Sequence, residues 1–401
     1  MTMNDAVPQS FDDNRWFDVR GNRLRLVYSA PERLKMLIEL IESADKTLKI
    51  CFYMFEDDSI GKLILNALVA ACNRGIDVSL IIDSFGSNGA SKNFFDPFRQ
   101  AGGTFAIFSP RFSTSYFVRN HQKMVIADDR RALIGGFNIA DQYFDRHADA
   151  KRANDNETTW ADIALMIDGS ETKRLSEYYA SLFRWVHNEN GNIRSLRRMV
   201  KNWQAGEGQF RWLLGGPSNR LSRWAWSIKK DLEKGKRLDL VTAYFSPGQG
   251  LLRRIANLSK RGGSSRLVLA GKTDNGATIG ASRLLYGYLL KRNARIYEYQ
   301  PKRLHCKLVI VDDATYIGSA NFDLRSLFIN VEMMLRIEDE KFAGHARKLV
   351  DILSTQSQTI NMELHRKRRG FLNRLRWTLS YFFVNTLDYS VTRRFNFGIK
   401  K

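Results

Sequence analysis

The stretch N-H-Q-K-M-V-I-A-D-D (Asn120 to Asp129) returns later in the chain as L-H-C-K-L-V-I-V-D-D (Leu304 to Asp313). Each copy leads into a glycine-rich turn that ends in asparagine, Gly135-Gly136-Phe137-Asn138 in the first and Gly318-Ser319-Ala320-Asn321 in the second. The apolar run after each lysine predicts a buried strand. Side chains two residues apart on a strand project from the same face. His121 with Lys123, and His305 with Lys307, can therefore reach into one cavity while the residue between them points away. His305 lies 184 residues after His121, which marks one long internal duplication and not a short repeat period.

Two imidazoles, two ammoniums and two amides converging on one place suit a phosphodiester. One imidazole can attack phosphorus while the other manages the proton of the leaving alcohol, and the lysine and asparagine groups can hold the non-bridging oxygens. An attacking imidazole needs its other ring nitrogen fixed by an acceptor. Asp128 and Asp312 inside the motifs are candidates, the alternative being that they bond neighbouring backbone or a surface base. Asp162 in W-A-D-I-A-L and Glu332 in N-V-E-M-M-L are stronger ones, because a carboxylate set among apolar residues requires a partner.

The duplicated pattern resembles the phospholipase D superfamily, named for H-x-K-x(4)-D followed by a glycine-rich turn and Asn. Every motif position matches in both copies apart from Gly136, where Ser is usual; Ser319 keeps that hydroxyl in the second copy. The resemblance implies an α/β fold of two similar halves, each a mixed, mostly parallel sheet flanked by helices, with the site at their interface. It implies chemistry without metal or other cofactor. The catalytic set carried over is His121, Lys123, Asp128, His305, Lys307 and Asp312, with Asn138, Asn321 and Ser319 binding phosphate. The run N-F-D-L-R-S-L-F-I-N-V-E (Asn321 to Glu332) and the W-A-D segment are similar to bacterial cardiolipin synthases of this superfamily. That likeness runs from about Leu26 to Leu353 and lacks the two amino-terminal spanning helices that many such enzymes carry. It implies phosphatidyl transfer between alcohols, phosphatidylglycerol serving as donor and acceptor. Hydrolysis by water, a nuclease of the same superfamily and a silent membrane-binding protein remain the alternatives.

The rest of the chain agrees with an ordered α/β protein. At 401 residues and 44% hydrophobic it can bury one large core or two linked ones. T-L-K-I-C-F-Y-M-F (Thr47 to Phe55), a helix from Ile60 to Asn73 and the strand V-S-L-I-I-D predict parallel strand–helix–strand units. Arg237 to Phe245, Gly250 to Lys260 and Arg266 to Ala270 repeat that order. The polar stretch Asn188 to Asn192 divides the halves, giving units 1–195, 196–360 and a tail 361–401. Cys51, Cys72 and Cys306 suggest neither a disulfide framework nor a metal site. His147, His187, His345 and His365 carry no partner pattern, and R-F-S-T-S-Y-F-V-R (Arg111 to Arg119) mixes aromatics and bases ahead of the first motif.

A net charge of +21 points to anionic partners, phospholipid headgroups or nucleic acid, without separating them; the resemblance implies a phospholipid membrane surface and makes nucleic acid the less expected partner. No stretch has the layout of a signal peptide or the length of a spanning helix, which predicts a cytoplasmic protein peripheral at the inner face of the membrane. The tail supplies the contact. From Arg366 to Lys401 it holds ten Lys/Arg against one Asp, a net of +9. Phe371, Leu372, Leu375, Leu379, Phe382, Phe383 and Leu387 recur at helical spacing, the pattern of an interfacial helix. Each basic residue near an anionic leaflet contributes about 1 kcal/mol. The competing reading is a terminal helix packed on the protein's own core. Composition leaves oligomeric state open.

Overall fold

A computed structural model of the chain describes residues 10–91, 93–109, 118–145, 159–188, 192–218 and 220–387. The first half runs β1 (Trp16–Val19), β2 (Asn22–Val27), α1 (Ala30–Glu42), β3 (Thr47–Phe52), α2 (Ser59–Asn73), β4 (Asp77–Asp83), α3 (Asp96–Gln100) and β5 (Thr104–Phe108). It continues with the motif hairpin β6 (Met124–Ala127) and β7 (Arg131–Gly135), then β8 (Trp160–Ala161), β9 (Ala164–Asp168), α4 (Glu171–Asn188) and α5 (Ile193–Asn202). The second half runs β10 (Phe210–Gly215), α6 (Arg223–Lys234), β11 (Arg237–Thr242), β12 (Phe245–Ser246), α7 (Gln249–Lys260), β13 (Ser264–Ala270), α8 (Gly276–Leu290) and β14 (Arg295–Tyr299). After β15 (Arg303–Leu304) come the second motif hairpin β16 (Lys307–Val311) and β17 (Ala314–Gly318), β18 (Phe322–Asp323), α9 (Leu324–Phe328), β19 (Glu332–Glu338), α10 (Glu340–Thr355), β20 (Ser357–Ile360), α11 (Met362–Arg368) and α12 (Phe371–Tyr381).

The duplication is a duplication of topology. One eight-stranded sheet has the order β1-β2-β9-β7-β6-β3-β4-β5 and the other β10-β19-β17-β16-β11-β13-β14-β20. Superposed on the motif strands, the orders coincide over seven positions; β1 is added to one edge in the first half and β20 to the opposite edge in the second. The sheets are mixed, as expected, but mostly antiparallel. Within these two eight-stranded sheets parallel pairing is confined to β3-β4-β5 and β11-β13-β14, the strands joined by helices. The motif strands instead return through tight hairpins, which antiparallel geometry alone permits.

Those hairpins explain one residue of each motif. Asp128 turns with φ 53° and Asp312 with φ 49°, a left-handed conformation that Asp tolerates better than most side chains. The Asp128 carboxylate accepts the backbone N–H groups of Asp45 at 3.0 Å, Lys46 at 2.8 Å and Thr47 at 3.0 Å. Asp312 likewise accepts those of Lys236 and Arg237, at 3.1 and 2.9 Å. Each motif Asp thus ties its hairpin to the start of the neighbouring central strand, β3 or β11.

Alternate residues of the motif strands face opposite ways. Met124, Ile126, Leu308 and Ile310 enter one apolar cluster shared by both halves and closed by α4 and α10. Val125 and Ala127 pack into the first half's own cluster, and Val309 and Val311 into the second's. The inner faces of both sheets therefore turn toward one shared core in which α4 and α10 are packed, and the amino ends of β6 and β16 emerge together at the seam. Burial pushes the Asp128 carboxyl up, but the three amides outweigh it and hold it below the usual carboxylate range. Asp128→Ala should cost about 2 kcal/mol in a denaturant titration. A loss under about 0.5 kcal/mol would mean the hairpin tie is immaterial.

Candidate active site

The seam joins the halves by backbone first. β15 pairs in parallel with β8, Arg303 opposite Trp160 and Leu304 opposite Ala161. Asn120 bridges to Val331 in the same way. As a result the His305 N–H donates to the Ala161 carbonyl at 2.8 Å and the His121 N–H to the Val331 carbonyl at 2.9 Å. The next residue in each case is the buried acid. His305 Nδ1 lies 2.6 Å from Asp162 Oδ2, and His121 Nδ1 lies 3.1 Å from Glu332 Oε1. Each histidine is therefore held by the acid of the opposite half.

Both imidazoles line one cavity of about 750 Å³, with Asn138, Tyr143 and Trp160 from the first half and Asn321, Tyr244 and Asp274 from the second. Tyr53 stands edge-on to the His121 ring at 5.1 Å. Tyr143 and Trp160 do the same to His305 at 5.2 and 5.1 Å. The intervening residues point away, as the strand period requires. Gln122 accepts from the Tyr178 hydroxyl, and the Cys306 thiol contacts the Ala161 carbonyl, its pKa pushed far up by burial.

Burial depresses both imidazoles, His305 to about 3, while their neighbouring lysines add to the effect. Burial alone would raise the two acids. The facing histidines and lysines overcome it and hold Asp162 and Glu332 below the usual range. The resting state consistent with both shifts is an ionised carboxylate accepting from a neutral imidazole protonated at Nδ1. Nε2 then carries the lone pair on the cavity side. Lys123 and Lys307 are each 1% exposed and donate to the carbonyl of their own histidine, at 2.6 and 2.5 Å. Burial lowers both ammoniums, Lys307 to about 8.

Three of the expected site residues are placed differently. Asp128 and Asp312 sit at the far ends of the motif strands and spend their oxygens on backbone amides, so they do not orient the histidines. The Ser319 hydroxyl donates to Glu332, joined there by Ser326 Oγ at 2.8 Å, and so braces the acid instead of meeting phosphate. Asn138 lines the cavity with its amide already engaged by the Met54 N–H and the Tyr143 hydroxyl. Asn321 lines it with an unbonded Oδ1. Most of Arg111 to Arg119, and His147, lie outside the described residues.

Sequence reasoning missed Arg33. It is 1% exposed and reaches from α1 to the carbonyls of Tyr28, Tyr143 and Asp162, gathering three pieces of the His305 pocket. It also missed Asp83, whose carboxylate accepts the Asn120 N–H at 2.8 Å, one residue before His121. Burial pushes Asp83 up to about 6. Asp83 closes the apolar run Val78 to Ile82, which was a weak signal, whereas Arg33 sits between Glu32 and Leu34-Lys35 and gives none.

Gly136 fills the place that Ser319 takes in the other half. A Cβ there would lie 2.6 and 2.9 Å from the Asp162 oxygens and 3.0 Å from Lys307 Cδ. Glycine is what lets the shorter acid sit beside His305. Gly136→Ser should displace Asp162, lower turnover by about 100-fold and lower thermal stability, because it disturbs a buried ion pair. Turnover within threefold of the parent would show that Asp162 has room to spare.

The family model described as "Cardiolipin synthase, PLD-like domain" matches residues 37–166 and 228–353, more than half of the chain. Cardiolipin synthase B of Salmonella typhimurium is 28% identical over 342 residues, covering 80% of this chain and 78% of that one. Cardiolipin synthase of Clostridium perfringens is 28% identical over 349 residues, covering 84% of this chain and 71% of that one. Among solved structures, phosphatidylserine synthase of Haemophilus influenzae superposes with a TM-score of 0.71 at 17% identity, covering 92% of this chain and 94% of that one. Two sheets in duplicate topology, a shared seam carrying both motif histidines and a family match in each half lead to one conclusion: the chain belongs to the phospholipase D superfamily, in the family of cardiolipin synthase, PLD-like domains, and is a phosphatidyltransferase of that superfamily.

Proposed function

We propose that the chain makes cardiolipin from two molecules of phosphatidylglycerol through a phosphatidyl-histidine. The observation that carries this reading is the pair of cross-braced imidazoles on one cavity, each with Nδ1 committed to an acid and Nε2 left to react. Nε2 of His121 attacks the donor phosphorus. The donor's phosphodiester anion first draws a proton from solvent onto Nε2 of His305, and as the P–O bond to the headgroup glycerol breaks His305 gives that proton to the leaving glycerol. A hydroxyl of the second phosphatidylglycerol then gives its proton to His305 and attacks phosphorus, breaking the P–N bond. The products are cardiolipin and glycerol, and both histidines return to their starting state. Lys123, Lys307 and Asn321 balance charge on the non-bridging oxygens, while Asp162 and Glu332 are positioning residues. The names of the relatives support cardiolipin as the product. No helix among the described residues is long and apolar enough to cross a membrane; we place the chain at the inner face of the cell membrane, where its net charge of +21 meets anionic headgroups.

Incubation with phosphatidylglycerol should yield cardiolipin and glycerol, and His121→Ala or His305→Ala should lower the rate by at least 1000-fold. Phosphatidic acid as the sole product would make the chain a hydrolase, and cleaved DNA without lipid product a nuclease. A ³²P-labelled adduct trapped with alkaline quench should survive in His305→Ala and vanish in His121→Ala; the reverse pattern exchanges the two roles. A chelator should leave the rate intact, and a tenfold loss would contradict metal-free chemistry.

The pH profile follows from the lysine. A lowered ammonium pKa means the charged form is present below about 8 and lost above it. The bound phosphodiester anion favours protonated His305, which is also lost as pH rises. The value of kcat/KM should therefore fall between pH 7 and 9, and a profile still rising through pH 9 would contradict the assigned role of Lys307.

A further inference from the structure

The tail resolves into two faces that do different jobs. Helix α12 lies on α8 by one narrow stripe. Trp377, 3% exposed, stacks on His365 with ring centres 5.7 Å apart, and Ser380, 8% exposed, presses on Gly280. A Cβ at Gly280 would lie 2.5 Å from Ser380 Oγ, and one at Gly287, two turns on, 3.0 Å from His365 Nε2. The two glycines thus form a shallow seat on α8 for the tail.

The opposite face of α12, continued by Phe382 and Phe383 of the π-helical turn that follows it (Phe382–Leu387), is bare. Phe371 and Leu372 are 82% and 77% exposed, and Leu375, Leu379, Phe382 and Phe383 between 44% and 55%. At 100° per residue these positions fill a stripe about 120° wide. Arg374 and Arg376 flank it on either side, and Arg366, Lys367, Arg368 and Arg369 precede it. No acid occurs between Leu364 and Val384. The stripe also has a destination, because Phe383 and Val384 line the cavity that holds His121 and His305, beside Ala277 and Thr278 of α8. Phe85, 43% exposed, lines the same cavity from the first half.

We propose that α12 is a fixed lipid-facing ledge of the active-site cleft: clamped to α8 by Trp377 and Ser380, it lays its apolar stripe in the headgroup–acyl boundary of an anionic bilayer and carries that apolar surface to the cavity mouth through Phe383. This deepens the phosphatidyl-transfer reading and rests on it for the substrate. A donor lipid can then present its phosphodiester to the histidines while its acyl chains stay against apolar surface. A basic border around a bare apolar stripe matches an anionic interface. A second copy of this chain would bring the same cluster of positive charge against itself.

The test uses the full-length chain, with Leu375→Asp/Leu379→Asp on the bare face and Leu375→Ser/Leu379→Ser as a milder pair. Readouts are flotation with vesicles of phosphatidylglycerol and phosphatidylcholine, and the ratio of turnover on those vesicles to turnover on monomeric dihexanoyl phosphatidylglycerol. Both pairs should lower vesicle partition and that ratio at least tenfold, with the mass in sedimentation velocity unchanged. Values within twofold of the parent, or a drop from dimer to monomer with partition intact, would overturn the proposal. A third variant isolates the clamp. Gly280→Val pushes α12 off its seat and should lower the turnover ratio at least tenfold while leaving partition within twofold; an unchanged ratio would mean the ledge need not be fixed. Vesicle binding through this face without any lipid product would sink the transfer reading alone. Product from monomeric lipid with binding indifferent to these variants would sink the ledge alone.

Discussion

Everything at the seam depends on a charge taken out of water. Asp162 and Glu332 are both 0% exposed, and an ionised carboxylate in that position costs several kcal/mol unless it is paired and hydrogen-bonded. The partner in each case is the imidazole of the opposite half. Each half gives its own acid neutral hydrogen bonds, but the imidazole paired with that acid comes from the opposite half. The pairing that fixes the reactive tautomer is also the one that requires the halves to stay docked. The rest of the seam follows from that constraint. The short ladders at Leu304 and Asn120 set each histidine's backbone one residue from the acid it needs, and Arg33 clamps the carbonyls around one of the two pockets.

The two pockets are related by topology and differ in chemistry. Glu332 is longer and takes two hydroxyls, from Ser319 and Ser326. Asp162 is shorter, sits beside Gly136, and accepts from the Ile163 N–H at 2.8 Å. His305 is flanked by two aromatic rings, His121 by one tyrosine. A symmetric pair of imidazoles has no reason to divide labour, whereas a pair in unequal pockets does. In the proposed cycle one ring must bond to phosphorus while the other carries a proton, and unequal surroundings are what a division of that kind needs.

Much of this was legible in the residues. The repeated His-x-Lys, read with a strand's period of two, already put four functional groups on one side of two strands, and the structure brings both histidines to one cavity. Asp162 and Glu332 could be picked out because a carboxylate in an apolar run asks for a partner. Which partner was not legible: the crossing between halves is a tertiary fact with no local signature. Asp128 and Asp312 misled for a related reason. Aspartate suits both an imidazole and a left-handed turn, and only the backbone at Asp45 to Thr47 and at Lys236 shows which use applies. Strand–helix alternation points to parallel sheets, but it governs only the strands that helices join. The tail's apolar spacing was visible, while its clamp was not, since Gly280 and Gly287 read as ordinary helix residues until Ser380 and His365 come to rest on them.

The central claim is that histidines from two halves grip a single phosphorus. A crystal structure of the chain with orthovanadate tests it most directly. The account predicts a five-coordinate vanadium bonded to Nε2 of one motif histidine, with the opposite axial oxygen about 3 Å from Nε2 of the other. An oxyanion bound by one ring alone, with the second turned to a separate space, would contradict it.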